Sequence, residues 1–576
     1  MQIKNIIKKE IIKSLILHGA DKNCDPIITT SSDKQTSDYQ ANGIIGISIK
    51  LKKKPKEFAE SVIKNMQKIR LISKITISNP CFVNFFINLK FLEKELEKIF
   101  LCKRLGIQKQ IKKRIVVDYS SPNIAKHMHV GHLRSTVIGD SIVRIMEFLG
   151  HDVIRENHIG DWGHQYGMLI AYINKKKIKN IKNINLEKLE RYYQKSKKKF
   201  DTNNKFKKQS KEILIKMYKN DKKCLSIWKK IVNITLLENE KIYKSLNITL
   251  KPIHIKGESF YKDMLKNIIL DLKKKKISNF KNGKTIVYLK NFKNKLGNNM
   301  GVVIQNSDKT FLYSTIDIAC IKYRSKILKA DKIIYYVDYR QKRYLKQIFE
   351  ISKKAKYIHK NLSVKHYEFG TILRKDNKPF MTRNGKLIKL SDIINKSIRK
   401  SKSIILKKNV NIDSKRLEKI SKIIGIGAIK YFELSKNRKK NYVFEWKKIL
   451  KLDSNTAIYI QYAYVRIMSI IKRVNIKINE VKNRIIITND IEKKVALKIL
   501  QFEDVINEAL KKSYPNILCN YLYKLSLNFS KFYEKYYIMS EQNKKIKNSR
   551  IKLIFIVAKT IKLGLSLLGI KTVKNI

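Results

Sequence analysis

The chain has 576 residues, and 126 Lys or Arg against 47 Asp or Glu leave a formal charge of +79, a balance that favours a polyanionic partner, nucleic acid before membrane. Its length is beyond one hydrophobic core, and 43% hydrophobic residues with 29 Tyr and 22 Phe exclude a disordered chain, so several folded domains are expected. Six dispersed cysteines (Cys24, Cys81, Cys102, Cys224, Cys320, Cys519) with no C-x-x-C pair speak against structural zinc and a disulfide framework, and no uncharged apolar run reaches the ~18 residues of a membrane span.

The first element is an amphipathic helix, because Ile3, Ile7, Ile11 and Leu15 recur every four residues and Gly19 can cap the end. Lys4, Lys8, Lys9, Glu10 and Lys13 interrupt it too often for a signal-peptide core, so the expected compartment is the reducing cytosol. A turn-rich "DYQANG" (38–43), a second helix and the strand-like "CFVNFFINL" complete a small α+β domain over residues 1–92.

From about residue 112 the pattern changes. "RIVVDYS" is a β-branched run of the kind found in buried parallel strands. Beyond Gly131, the residues Leu133, Val137, Ile142, Ile145 and Leu149 mark a helix face closed by Gly150, and "DVIREN" reads as the next strand. Strand, glycine turn, helix, strand is a βαβ unit, which predicts a doubly wound, Rossmann-type parallel-sheet domain over 110–395. Residues 175–250 are crowded with Lys and Asn, yet apolar residues return every three or four, so a helical insertion is expected around 175–290. Lys, Ile and Asn share A/T-rich codons, and an AT-rich bacterial genome accounts for part of the lysine excess. "KIIYYVD" (332–338) is a further strand, residues 396–452 read as a helical connector, and residues 453–576 as an all-α bundle.

The stretch "PNIAKHMHVGH" (122–132) gathers His127, His129 and His132 where the first parallel strand hands over to its helix. Three readings compete: a metal cluster, a solvated loop and a phosphate site. No carboxylate or thiolate stands nearby at ligand spacing. The strand–glycine–helix placement instead favours an anion, held by free backbone N–H groups, the helix dipole and imidazole N–H donors.

These residues carry a resemblance. "HVGH" is similar to the HIGH signature of class I aminoacyl-tRNA synthetases, and "VVDYSSPNIAKHMHVGHLRSTVIGDSIVRIMEFLGHDVIRENHIGDWGHQYGMLIA" resembles the arginyl-tRNA synthetase family. "DYQANG", "FLYSTIDIACIKYR", "VDYRQKRYL", "KPFMTRNGKLIKLSDI", "GIGAIKYFELSKNR" and "NTAIYIQYAYVRI" follow in that family's order. The resemblance implies an N-terminal tRNA-binding domain, a catalytic domain and a C-terminal anticodon-binding bundle. It implies two reactions: arginine attacks the α-phosphate of ATP, carried as its Mg2+ complex, and the adenylate then esterifies the terminal ribose of the cognate arginine tRNA. Pyrophosphate exchange is expected to require tRNA. Another class I synthetase and a decayed tRNA-binding protein are the alternatives. The first lacks support because the zinc-binding cysteines of the cysteinyl enzyme are absent, and the second because "HVGH", Asp317 and Gln341 are intact.

By position, the resemblance implies His129, His132 and Lys126 as catalytic residues. It sets Pro122, Asn123, Gly131 and Arg383, with the two histidines, around ATP. Ser121, Asn123, Asn157, Tyr313, Asp317 and Gln341 are implied at the arginine, where a carboxylate can accept two parallel N–H bonds from a guanidinium. Tyr313 and Asp317, four apart, can share one helix face. The lysine-rich second loop of class I enzymes is replaced by "FMTRNG" (380–385), with Met381 where a lysine is often found, and Lys126 is expected to substitute for it. Asn79, Phe82 and Asn84 resemble the residues that hold the tRNA elbow, a sound set for a splayed base. No protein-bound metal is expected, and a monomer is favoured.

Overall fold

A computed structural model of the chain describes residues 3–30, 37–66, 69–178, 181, 184–293, 297–374, 376–378, 388–408, 411–474, 481 and 483–573. They fall into two compact units, one of Met1–Gln108, Leu452–Ser566 and Thr572–Ile576, the other of Lys109–Lys451 and Leu567–Lys571. Glu97 and Glu93 on helix Leu89–Leu101 accept the backbone N–H groups of Ile485 (2.6 Å) and Ile487 (2.9 Å). Contacts of this range leave no periodic trace in sequence.

In that first unit an antiparallel sheet runs in the order Ile28–Thr30, Tyr39–Ala41, Phe82–Ile87, Ile72–Ser78. Ile3, Ile7, Ile11 and Leu15 of the first helix are buried, as their spacing requires. "DYQANG" is not merely a turn: Tyr39–Ala41 is an inner strand, buried throughout. The expected second helix is two, Ile44–Lys50 and Pro55–Lys64, the latter started by proline at its first position. Helices Ala457–Val474, Asp490–Leu500, Phe502–Lys512, Pro515–Lys535 and Lys544–Leu567 make the bundle.

The second unit is built on four parallel strands, β1 (Arg114–Asp118), β2 (Asp152–Glu156), β3 (Lys332–Tyr335) and β4 (Ser363–His366), in the order β4-β3-β1-β2. Helix α1 (Val130–Phe148) links β1 to β2 on one side, and the chain later returns to pair β3 on the other side of β1. The carboxyl ends of β1 and β3 therefore flank a topological switch point, the crevice where open α/β sheets bind ligands. Register aligns Asp118 with both Glu156 and Tyr335 there. The fully buried Arg324 donates to Asp118 Oδ2 (2.7 Å) and to Glu156, locking β1 to the edge strand β2 through their last residues.

Helices Leu186–Thr202, Asn204–Tyr218 and Lys222–Ser245 fill much of the insertion. A three-stranded antiparallel sheet, Asn279–Lys281, Lys284–Lys293 and Asn299–Gln305, begins within the end of the expected helical insertion and runs beyond it. The period-two burial of Thr285, Val287 and Leu289 is the signal for it. Among the described residues no helix is long and apolar enough to cross a membrane.

Candidate active site

The chain leaves β1 through an unusual turn. Ser120 and Ser121 have φ of +76° and +46°, and Ala125 follows at +59°. Left-handed backbone at non-glycine residues persists only where the surroundings over-determine it. Ser120 N–H donates to Ser135 Oγ (2.9 Å), its hydroxyl pairs with Thr136 Oγ1 (2.8 Å) and Tyr243 OH (2.7 Å), and Ala125 N–H donates to Thr235 Oγ1 (3.0 Å). Ser121 N–H donates to Asn157 Oδ1 (3.0 Å), and its hydroxyl donates to Asp118 Oδ1 (3.0 Å). Asn157 is buried and donates its amide N–H to Tyr243 OH (3.2 Å), so it braces the turn. Pro122 is buried, while Asn123 is exposed and bridges to Gly160.

The turn delivers the histidines. His129 is the N-cap of α1: its Nδ1 accepts the N–H of Gly131 (3.1 Å), and His132 Nδ1 accepts the N–H of His129 (3.1 Å). Two imidazoles thus form a reciprocal capping box, with ring centroids 4.0 Å apart. Because each Nδ1 accepts, each neutral ring carries its proton on Nε2 and can donate only from there. Burial holds His129 down to about 4 and His132 to about 3, with Lys126 pushing both further. Both rings are neutral N–H donors at pH 7. Gly131 is glycine for want of space, since a Cβ there would lie 2.9 Å from the His129 ring. His127 faces Glu190 at 3.9 Å, but burial lowers its pKa, so no ion pair forms near neutrality. Among the described residues no cluster of three metal-ligating side chains exists.

The Lys126 ammonium lies over the Tyr193 ring, 4.6 Å from its centroid. Backbone bonds join Val130 N–H to Ile388 O (3.0 Å) and Leu390 N–H to Met128 O (2.9 Å), tying the histidine turn to the residues that follow "FMTRNG". Met381, Arg383 and Lys386 lie outside the described residues.

Beside this turn is an acidic pocket. Tyr313 opens helix α2 (Tyr313–Lys326), and Asp317 follows one turn later, as their spacing requires. Tyr313 OH donates to Gln165 Oε1 (3.0 Å), and Tyr344 OH donates to Asp317 Oδ2. Burial raises the Asp317 carboxyl despite that bond and nearby His158. Glu258 is pushed up to about 9, by burial first and then by Asp317 and Asp161. Asp161 is also raised by burial, although Ser259 donates to it from N–H (2.8 Å) and Oγ (2.6 Å). Gly257 permits this approach, because a Cβ there would stand 2.5 Å from Asp161 Oδ1. Asn123 Oδ1 and Glu258 Oε1 lie 3.0 and 3.7 Å from the Cβ position of Gly160, so both face one spot. Gln341 sits exposed in the turn after β3, at the switch point. Three acids, two of which raise the third, make a pocket for a cation. Sequence reasoning found Asp317 but missed Glu258, Asp161 and His158, whose acid–acid proximity exists only in three dimensions.

In the other unit, Asn79 is exposed at a turn and Phe82 half-buried beside it. Asn84 is buried, accepts from Gln40 Nε2 (2.9 Å) and Ser37 Oγ (3.2 Å) and donates to Ser78 Oγ (2.9 Å). Its amide is engaged within the sheet. On the bundle, the Arg466 guanidinium lies 5.2 and 5.3 Å from the Tyr462 and Tyr533 rings, and Tyr533 leans on the exposed Tyr537. Such a cation–aromatic platform suits stacked bases.

Family comparisons cover nearly the whole chain. Residues 95–446 match the model described as tRNA synthetases class I (R), catalytic domain; residues 460–576 match the DALR anticodon binding domain, and residues 1–87 the arginyl tRNA synthetase N terminal domain. The sequence is 52% identical over 575 residues, the full length of both chains, to the arginine–tRNA ligase of Buchnera aphidicola subsp. Acyrthosiphon pisum (strain Tuc7). It is 42% identical over 575 residues, again 100% of both, to that of Yersinia enterocolitica. The crystal structure of arginyl-tRNA synthetase from Plasmodium falciparum aligns over 100% of both chains with a TM-score of 0.84 at 30% identity.

Proposed function

The chain belongs to the arginyl-tRNA synthetase family of class I, and from that premise we propose how its own residues divide the work. The protein is an arginine–tRNA ligase that joins L-arginine to tRNA through an arginyl-adenylate at the expense of ATP. The observation that carries the assignment of roles is the meeting, at one switch point, of a neutral imidazole pair and a buried acidic pocket.

ATP enters as its Mg2+ complex. An arginine carboxylate oxygen attacks the α-phosphorus in line, the P–O bond to the β-phosphate breaks, and pyrophosphate leaves with its electron pair. Nothing in that step requires a protein nucleophile; it requires positioning and charge neutralisation. His129 and His132 donate Nε2–H to phosphate oxygens at the start of α1, where the helix dipole adds to them. Pro122 and Asn123 border the nucleotide, Gly131 leaves room for the ring beside it, and Lys126 and Arg383 neutralise the departing pyrophosphate.

The guanidinium enters the acidic pocket, where Asp317 supplies the charge and Glu258, Tyr313, Asn123 and Gln341 the polar lining. Ser121 and Asn157 hold the turn. A polar site of this kind rejects amino acids lacking the guanidinium, because its buried acids would be left unpaired. A terminal ribose hydroxyl of the tRNA then attacks the adenylate carbonyl and AMP leaves. Asn79 and Phe82 offer an aromatic and an amide to a splayed base, and the Arg466 platform stacks bases of the anticodon loop. We place the enzyme in the cytosol with its tRNA, acting as a monomer.

Charging total bacterial tRNA with each labelled amino acid at fixed salt tests the reading. Arginine alone should be attached, and pyrophosphate exchange should need tRNA. Charging with lysine or cysteine, or brisk exchange without tRNA, would contradict it.

A further inference from the structure

His158 follows the carboxyl end of β2, one residue after the bracing Asn157. Its Nδ1 lies 3.0 Å from the carbonyl oxygen of Lys256. A carbonyl only accepts, so Nδ1 carries the proton, and the neutral ring presents a lone pair at Nε2. That Nε2 faces Asp317 Oδ1 at 3.8 Å, too far for a hydrogen bond, and both side chains keep some exposure, 15% and 23%. The other carboxylate oxygen of Asp317 already accepts from Tyr344. Behind the imidazole, the Tyr261 ring fixes its plane with centroids 5.7 Å apart.

Two acceptors thus look at each other across a gap, with Asp317 and Asp161 both close enough to Glu258 to raise its proton affinity. A gap between two acceptors is a demand for donors. Adjacent N–H groups of one planar guanidinium can span 3.8 Å, giving one hydrogen to each side. We infer that His158 is a specificity-determining residue of the arginine pocket, its Nε2 accepting one guanidinium N–H while Asp317 accepts its neighbour. The inference rests on the assignment of Asp317 to the guanidinium. It adds an imidazole lone pair beside the Asp317 carboxylate, which orients the fork.

The two ring nitrogens separate a structural role from a recognition role. His158→Asn keeps an amide N–H near the Lys256 carbonyl and removes the acceptor at the Nε2 position. His158→Gln does the reverse. Arginylation kinetics of both, beside Asp317→Asn and the parent protein, decide the matter. His158→Asn should raise KM for arginine about tenfold or more, as loss of a hydrogen bond to a charged group does, with KM for ATP and the melting temperature unmoved. His158→Gln should recover most of the loss. If His158→Asn matches the parent while Asp317→Asn raises KM for arginine, His158 has no part in recognition. If both variants of His158 fall together with their melting temperatures, the residue is only structural. If Asp317→Asn also matches the parent, the pocket itself is wrongly assigned and the inference falls with it.

Discussion

Arg134 Nε and Glu433 Oε1 stand 2.7 Å apart with both side chains shut off from solvent, joining the helix that begins with the two histidines to helix α3 (Ser414–Leu434). The guanidinium also donates to the carbonyls of Gly370 (2.8 Å) and Lys440 (3.0 Å), and Tyr442 OH donates to Glu433. Breaking one half of a buried pair strands a charge, whereas replacing both with apolar groups removes the demand for a partner. Glu433→Gln should therefore destabilise the protein by about 3–5 kcal/mol, and Arg134→Met with Glu433→Leu should regain most of it. Urea unfolding of the three proteins, followed by tryptophan fluorescence, measures this. A double variant no more stable than Glu433→Gln would refute it.

Asp317→Asn keeps the shape of the arginine pocket and removes its accessible charge. It should lower kcat/KM for arginine by about 2–4 kcal/mol in transition-state terms, with KM for ATP little changed. Initial rates at varied arginine and saturating ATP check it. Equal losses for the two substrates would move Asp317 away from the guanidinium.

The imidazole pair makes two separable predictions. His129→Asn keeps an acceptor suited to capping α1 while deleting the Nε2 donor, so adenylate formation should fall by about 10²-fold with stability nearly intact. Burial depresses both rings from the usual 6.5, to about 4 for His129 and about 3 for His132, so the unfolded chain takes up protons that the folded chain refuses. Their contribution to stability is therefore full above about pH 6.5 and is lost progressively as pH falls toward 4. Denaturation at pH 7 and pH 5 should show the loss in the parent protein and less of it in His129→Asn.

Lys126 rests on Tyr193 in this structure, and its departure toward pyrophosphate would cost that contact. Lys126→Ala should lower kcat for adenylate formation by about 10²-fold or more and leave arginine and tRNA affinities nearly unchanged. Tyr193→Leu frees the ammonium and should change kcat far less. Parallel losses of tRNA affinity and exchange in Lys126→Ala would make it a backbone contact and pass the pyrophosphate role to Arg383 or Lys386.

Much of this was legible before any fold was in view. Ile3, Ile7, Ile11 and Leu15 announce a helix because 3.6 residues per turn puts them on one face, and "RIVVDYS" announces a strand buried on both sides. The three-stranded sheet at 279–305 is hard to place from sequence because apolar Ile286, Tyr288 and Val303 occupy the positions between its buried residues and blur the period-two pattern. For Asn84 and Asn157 the sequence offers no sign of the hydrogen bonds by which their amides brace the sheet and the turn, because those partners lie on other elements.

The sequence by itself determined the βαβ unit, the histidine turn at its strand-to-helix junction and the Tyr313–Asp317 pair, because each depends on spacing within one element. Tertiary structure alone decided the rest: which nitrogen of each histidine carries the proton, and which acids are driven together. Asp161 and Asp317 lie far from Glu258 in the chain yet raise its proton affinity, and Arg324 reaches back to Asp118 and Glu156. Hydrogen bonds and Coulomb energies depend on distances of a few ångströms, and for residues on different elements only the packing of those elements sets such distances.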